Sequence, residues 1–318
     1  MNGEPPPIEP QDPGGQPAPP PMPQRVLVSE DDRLRPIFRA LLFAFAGVVL
    51  ILATQRAFIL LLIYAGVRGV VPDSLLVVYY LAVDVFLLLE SWFFARAFDR
   101  RSFRILGLWF YAGWGRELAY GLGIGAGLMT LMVATLVGLR AINFNGLAGS
   151  FGQLLPQLAG TGFFFLLAAA FEEIAFRGYG FQRLVDAVGP LAAVLLASAL
   201  FGALHIRNPH ATVLSTANTV LAGVLLSVAY LKTRGLWFPI GLHWAWNFFQ
   251  GAIFSLGVSG LDFPKMLQAA QRGPDWLSGG VYGPENSIVA TVVSLGGIFW
   301  LARTRRVSTS PAMEEVLK

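Results

Sequence analysis

The feature that most narrows what this chain can fold into is a succession of apolar runs, each about as long as a bilayer is thick. A hydrocarbon core of about 30 Å is crossed by roughly 20 helical residues. Backbone polar groups in lipid must be satisfied within the spanning element, so runs of this length are read as helices. Eight are legible, near residues 38–66, 74–96, 117–139, 157–177, 190–206, 213–232, 237–257 and 286–303. The first is overlong, and Gln55 with Arg56 in its middle predicts a break. Charged residues make up only 13% of the chain, against about a quarter in soluble domains, so a soluble globular fold is excluded. The expected fold is an all-α, polytopic membrane bundle of about eight transmembrane helices.

The flanks differ sharply from the spans. Ten of the 20 prolines lie before Gln24, among Glu, Asp, Gln and Gly, and the polar run Ser29–Asp32 follows. Such a segment buries too little apolar surface to offset chain entropy, so residues 1–35 are expected to be a disordered cytoplasmic tail. They lack the basic start, short apolar stretch and cleavage site of a signal peptide. Residues 36–306 then form the integral membrane domain, and 307–318 a short cytoplasmic tail. With both ends inside, 17 Lys and Arg fall on the cytoplasmic side and five outside, Arg56 being left within the first span. This asymmetry is the positive-inside pattern. It predicts an N-in, C-in orientation and accounts for the net charge of +4 without nucleic acid as a partner. The stretch 102–116, with Trp109, Tyr111 and Trp114 beside Arg104 and Arg116, reads either as an interfacial segment at the headgroups or as a loop with aromatic belt residues. No internal repeat of the transporter kind is present.

Within this apolar setting a few polar residues carry the chemistry. There is no cysteine, so thiol catalysis, disulfides and Cys-based zinc sites are excluded. Leu166–Arg177 reads LLAAAFEEIAFR, and each charge near the bilayer centre costs about 2.5–3.5 kcal/mol on insertion scales. Glu173 and Arg177 stand at i and i+4, the order that favours an ion pair. Glu172 points roughly 100° away and is free to face something else. His205 ends the run FGALH, while His243 and Asn247 in HWAWN share one helix face at i and i+4. If the helices before and after Gly189–Pro190 form an antiparallel hairpin, residues equally far from the turn share a depth. Glu172 lies 17 residues before Gly189 and His205 lies 16 after it, which sets carboxylate beside imidazole. His243, near the start of its helix, would then lie shallower, unless the hairpin tip protrudes or that helix is displaced inward. The plainer reading is that each acid merely pairs with a basic group in the bundle. His210, Asn208, Asp84 and Glu90 are read as loop, bundle or interfacial residues, and Trp244 and Trp246 as packing.

Taken together, EEIAFRG, FGALH and HWAWN, with TRGLWFPIGLH leading into the last, resemble the CPBP family of intramembrane proteins. These are the type II CAAX prenyl endopeptidases and their bacterial bacteriocin-processing and immunity relatives. The similarity covers about residues 105–250. It implies a helical bundle around a polar cavity, hydrolysing a peptide bond near the C-terminus of a peptide or lipidated-protein substrate. In that family's terms Glu172 is the general base assisted by His205, His243 and Asn247 stabilise the oxyanion, and Glu173 with Arg177 supports the site. Glu172, His205 and His243 are also a two-His, one-carboxylate set of the kind that holds zinc with an open water position. A metalloprotease with one divalent metal and a metal-free glutamate-dependent enzyme both stay open. So does a non-catalytic immunity or regulatory role; a small transporter using the buried acids is the third reading. Membrane lipids surround all of these, the expected location is a bacterial inner membrane, and the oligomeric state is not legible.

Overall fold

A computed structural model of the chain describes residues 27–29, 33–69, 71 and 73–318. Residues 1–26 of the predicted tail therefore lie outside the described residues. Residues 30–32 lie outside them too; in the part of that tail that is described, Val28 bridges Leu34, and the Arg33 guanidinium donates to the Asp99 carbonyl at 3.3 Å.

The described chain is a helical membrane bundle. Its elements are α1 (Pro36–Tyr64), α2 (Asp73–Ala97), α3 (Trp114–Gly138), α4 (Phe151–Arg177), α5 (Tyr179–Val188), α6 (Pro190–Leu204), α7 (Val213–Thr233), α8 (Trp237–Asn247), α9 (Ile288–Arg303) and the terminal α10 (Pro311–Leu317). Six stretches are long and apolar enough to cross a membrane: α1, α2, α3, α4 with α5, α6 with its 3-10 extension to Arg207, and α7. The break expected in α1 does not occur. Gln55 and Arg56 are both exposed, both are good helix formers, and the long Arg side chain can reach the interface from within a span.

The last two predicted spans are shorter than expected. The run 237–257 is an 11-residue α-helix followed by six residues of π-helix, Phe248–Ile253, and the chain then turns at Ser255, whose φ is +57°. The final span, α9, has 16 residues, which at 1.5 Å each reach roughly 24 Å. The first of the two need not meet lipid along a full bilayer thickness, because α8 is enclosed by protein, whereas α9 exposes Ile288, Val292, Leu295 and Phe299. Phe238, Pro239, Ile240, Gly241, Leu242, Ala245 and Trp246 are all buried. A two-stranded antiparallel ribbon, Ile142–Leu147 (β1) with Leu267–Gln271 (β2), joins the loops at one end and was not foreseen.

Small residues set the closest contacts. A Cβ on Gly121 or Gly125 of α3 would come within 2.3 Å of the Phe238 carbonyl oxygen or 2.2 Å of that of Leu242. This is the small-xxx-small approach that lets helix backbones meet in membranes, and it draws α8 deep into the bundle. The predicted interfacial stretch supports the start of α8 from below. Its residues Ile105 and Leu106 are buried, the Gly107 carbonyl accepts from the Leu236 amide at 3.1 Å, and Tyr111 donates to Glu117 at 2.5 Å. Burial, then Glu117, pushes the Tyr111 phenol up.

Helix α4 stops at Gly178, where a Cβ would sit 2.2 Å from the Ile174 carbonyl oxygen, so only glycine fits the corner. Helix α5 then runs along α1 and is fixed at the Arg-rich end. Arg183 pairs with Asp99 at 3.2 Å and with Asp186 at 3.0 Å, Arg39 pairs with Asp99, and Tyr179 donates to Asp99 at 3.2 Å. The C-terminal segment is likewise docked: Met313 of α10 is fully buried, and Arg101 donates to the Leu317 carbonyl at 3.1 Å.

Candidate active site

The corner at Gly178 leaves the last turns of α4 packed against the end of α6. The rings of Phe176 and Phe201 meet edge to face at 5.1 Å, and the Arg177 guanidinium lies 4.8 Å above the Phe201 ring. Glu172 is one turn before Phe176, and His205 one turn after Phe201. In antiparallel helices those steps lead to the same depth, and both side chains face one cavity. The helix that the equal-depth arithmetic assumed to be continuous is broken between Arg177 and Tyr179, and the two residues nonetheless line one cavity.

The cavity has a volume of about 220 Å³ and is bounded by Glu172, His205, His243, Asn247, Glu285 and Asn208, among others. Tyr80, Phe164, Phe165 and Phe263 form an aromatic wall. His243 of the enclosed α8 lines this cavity, and so does its i, i+4 partner Asn247, just before the helix relaxes into π geometry.

The two adjacent glutamates divide the work. Glu173 has 0% side-chain exposure, as has Arg177, and they pair at 3.1 Å. The same Glu173 oxygen accepts from His243 Nδ1 at 2.8 Å. Arg177 also donates to the Gly223 carbonyl at 3.0 Å and to Ser227 at 3.4 Å, tying α4 to α7. A carboxylate on Nδ1 fixes the imidazole so that Nε2 points away, toward Glu172 at 3.8 Å. Glu172, with 25% of its side chain exposed, is the member of the pair that opens to the cavity. Its Oε2 has no hydrogen-bond partner among the described residues. On the facing helix the Phe201 carbonyl accepts from His205 Nδ1 at 2.7 Å, which turns His205 Nε2 away from the backbone.

The zinc reading fares less well. Among the described residues no three His, Asp or Glu side chains gather as a metal-ligating group. Glu172, His205 and His243 share a cavity without gathering on one point; the Nδ1 contacts of the two imidazoles do not bear on this, since metal-ligating histidines make the same bonds through their other ring nitrogen. The residues present do not fit the metal, and no step is derived through it.

Of the residues set aside, Asn208 borders the cavity and donates to the Ser259 carbonyl at 3.1 Å. His210 occupies a left-handed turn with φ +59°, away from the cavity. Trp244 anchors α8 to α4 through its indole N–H on the Gly162 carbonyl at 2.8 Å. Asp84 and Glu90 are not the hydrogen-bonded contacts expected of them, since their carboxyl oxygens are buried without partners among the described residues. Sequence reasoning missed Glu285, which sits on the turn Pro284–Asn286 beyond the last motif. Only the acid itself, in a loop before a short apolar run, could have drawn attention to it.

Compared with known proteins, residues 154–249 match the family model described as type II CAAX prenyl endopeptidase Rce1-like. The match contains all six motif residues from Glu172 to Asn247 and ends before Glu285. No curated protein and no solved structure gives a significant match. The match supports the CPBP resemblance of that segment, under a third of the chain, within an integral membrane protein.

Proposed function

Starting from a CPBP-type segment within a membrane bundle, we propose that this protein is an intramembrane endopeptidase. It hydrolyses a peptide bond near the C-terminus of a membrane-associated, CAAX-type substrate. The observation that carries this reading is the convergence of Glu172, His205, His243 and Asn247 on one cavity, with Glu173 and Arg177 buried behind them.

Water beside Glu172 gives a proton to its carboxylate as it attacks the scissile carbonyl, the role of a positioned general base. The proton that Glu172 takes up passes to the departing amine, with His205 Nε2, an acceptor while Nδ1 donates to the Phe201 carbonyl, as its relay on the opposite wall. His243 acts as an imidazolium, giving Nδ1–H to Glu173 and offering Nε2–H beside the Asn247 amide on one face of α8, where the two stabilise charge developing on the carbonyl oxygen. Such donors in a site closed to bulk water are worth about 3–4 kcal/mol each. Glu173 does not touch substrate: it holds His243 in the ring orientation that this donation needs. The substrate reaches the site from within a bacterial inner membrane, with both ends of the protein in the cytoplasm.

The test is cleavage of fluorogenic peptides, with and without a lipidated cysteine, by purified wild type and Glu172→Gln, each repeated after 1,10-phenanthroline. Loss of cleavage in Glu172→Gln, in protein that unfolds at the wild-type temperature, with retention in the chelator, is the expected result. Cleavage by Glu172→Gln at the wild-type rate would remove the proposed base, and loss to the chelator would restore the metal reading.

A further inference from the structure

The cavity has a second acid that the family match does not include. Glu285 borders the same space as Glu172, His205 and His243, and it is held there rigidly. The Ser259 amide donates to its carboxylate at 2.7 Å, from a residue strained to φ +49°. Asn218 of α7 donates to the backbone carbonyls of Glu285 and Ser287 at 2.8 and 2.9 Å, pinning the turn. Oε1 faces the Ser259 hydroxyl at 3.5 Å.

Among the described residues no Lys or Arg answers this carboxylate from the cavity wall, where the basic groups are the imidazoles of His205 and His243. The lining holds two carboxylates and two imidazoles and includes neither Lys nor Arg among the described residues. Arg177, the guanidinium of the motif, is fully buried and engaged by Glu173, Gly223 and Ser227. Burial pushes the Glu285 carboxyl up, while hydrogen bonds from Ser259 and Gln250 and the proximity of His205 act in the other direction. A desolvated carboxylate without a counter-charge is costly, and a cation delivered by the substrate relieves that cost.

We propose that Glu285 forms a specificity subsite for a basic side chain, Lys or Arg, close to the scissile bond of the substrate. The inference rests on the peptidase reading and sharpens it. A substrate's free C-terminal carboxylate must lie away from Glu285, and acidic residues near the cleaved bond are disfavoured. Because the turn is fixed before binding, little ordering cost is left for the incoming residue.

The experiment uses the full chain in detergent and a set of quenched fluorescent peptides that differ only in carrying Lys, Gln or Glu at each position flanking the cleaved bond. Wild type is expected to cleave the best Lys peptide about tenfold faster, in kcat/KM, than its Gln counterpart, the low end of what desolvated charge pairs are worth. In Glu285→Gln that ratio falls to about one, and in Glu285→Lys the Glu peptide becomes the better substrate. Glutamine keeps an oxygen for the Ser259 amide, so the turn survives the first substitution. No Lys preference in wild type, or an unchanged preference in Glu285→Gln, overturns the inference. Binding of the same peptides to Glu172→Gln by fluorescence anisotropy separates the two readings. Preferential Lys-peptide binding without any cleavage by wild type would keep the subsite and sink the peptidase; equal binding of Lys and Gln peptides would sink the subsite alone.

Discussion

The ion pair between Glu173 and Arg177 is the feature whose removal should be felt most widely. Both side chains have 0% exposure and lie 3.1 Å apart, so neither can recover water when its partner is lost. Breaking a buried pair from one side costs about 3–5 kcal/mol. Arg177→Met also surrenders the bonds to Gly223 and Ser227, so about 4 kcal/mol or more is expected for that variant. Glu173→Gln leaves the guanidinium unpaired and should cost about 3 kcal/mol by the same reasoning. The double variant buries neither charge, and its loss should fall short of the sum by at least about 2 kcal/mol, as coupled neighbours do. The assay is reversible unfolding in mixed micelles, followed by tryptophan fluorescence, for the two single variants and the double. Strict additivity would refute the argument, because it would mean that each charge is solvated independently of the other. A second readout follows from geometry. Glu173→Gln still accepts from His243 but no longer stabilises a positive ring, so kcat should fall with KM nearly unchanged.

Three further outcomes follow from the same contacts. Gly121→Val and Gly125→Val should prevent accumulation of folded protein, since either Cβ meets an α8 carbonyl within 2.3 Å. Gly123→Val and Gly127→Val on the open face of the same helix have nothing within 4 Å and should be tolerated; size-exclusion profiles of the four variants decide it. Asn247→Ala should lower kcat by about 10²–10³ while KM barely moves, the signature of a lost oxyanion donor, and an equal rise in KM would assign Asn247 to substrate binding instead. For Glu285 the folded carboxyl titrates above its ordinary value of 4.5. Its contribution to stability is therefore intact below that pH and is lost as pH rises toward the folded value. Melting temperatures of wild type and Glu285→Gln should diverge above about pH 4.5, to the disadvantage of wild type, and a pH-independent gap would contradict the burial argument.

Much of the site was legible because its residues are expensive where they stand. Two adjacent acids in LLAAAFEEIAFR, an imidazole closing FGALH, and the i, i+4 pair in HWAWN each need a reason to be in an apolar helix. The ion pair of Glu173 with Arg177 followed from spacing alone. The division between a buried, partnered Glu173 and a cavity-facing Glu172 followed from helical phase. That His243 takes Glu173 as its partner was not legible, because two separate helices must first be docked. Nor was the length of α8: composition reports that 237–257 is apolar, and apolar segments are buried by protein as readily as by lipid. The close approach at Gly121 and Gly125 is what makes the protein-buried choice.

Glu172 and His205 are the more instructive case, since the premise that linked them failed and both still line one cavity. The arithmetic assumed one helix running to Gly189, whereas α4 ends at Arg177 and α5 turns along α1. Depth in an antiparallel pair is fixed by where the helices touch, not by how the chain connects them. Phe176 touches Phe201, and each catalytic candidate lies four residues from its helix's contact, in opposite sequence directions. Any change that moves this contact must move both candidates together. Phe201→Ala, which removes the shared ring while leaving both polar residues in place, should therefore lower cleavage without abolishing it, and should do so through kcat. Full activity in Phe201→Ala would mean that α4 and α6 are held in register by something other than this contact.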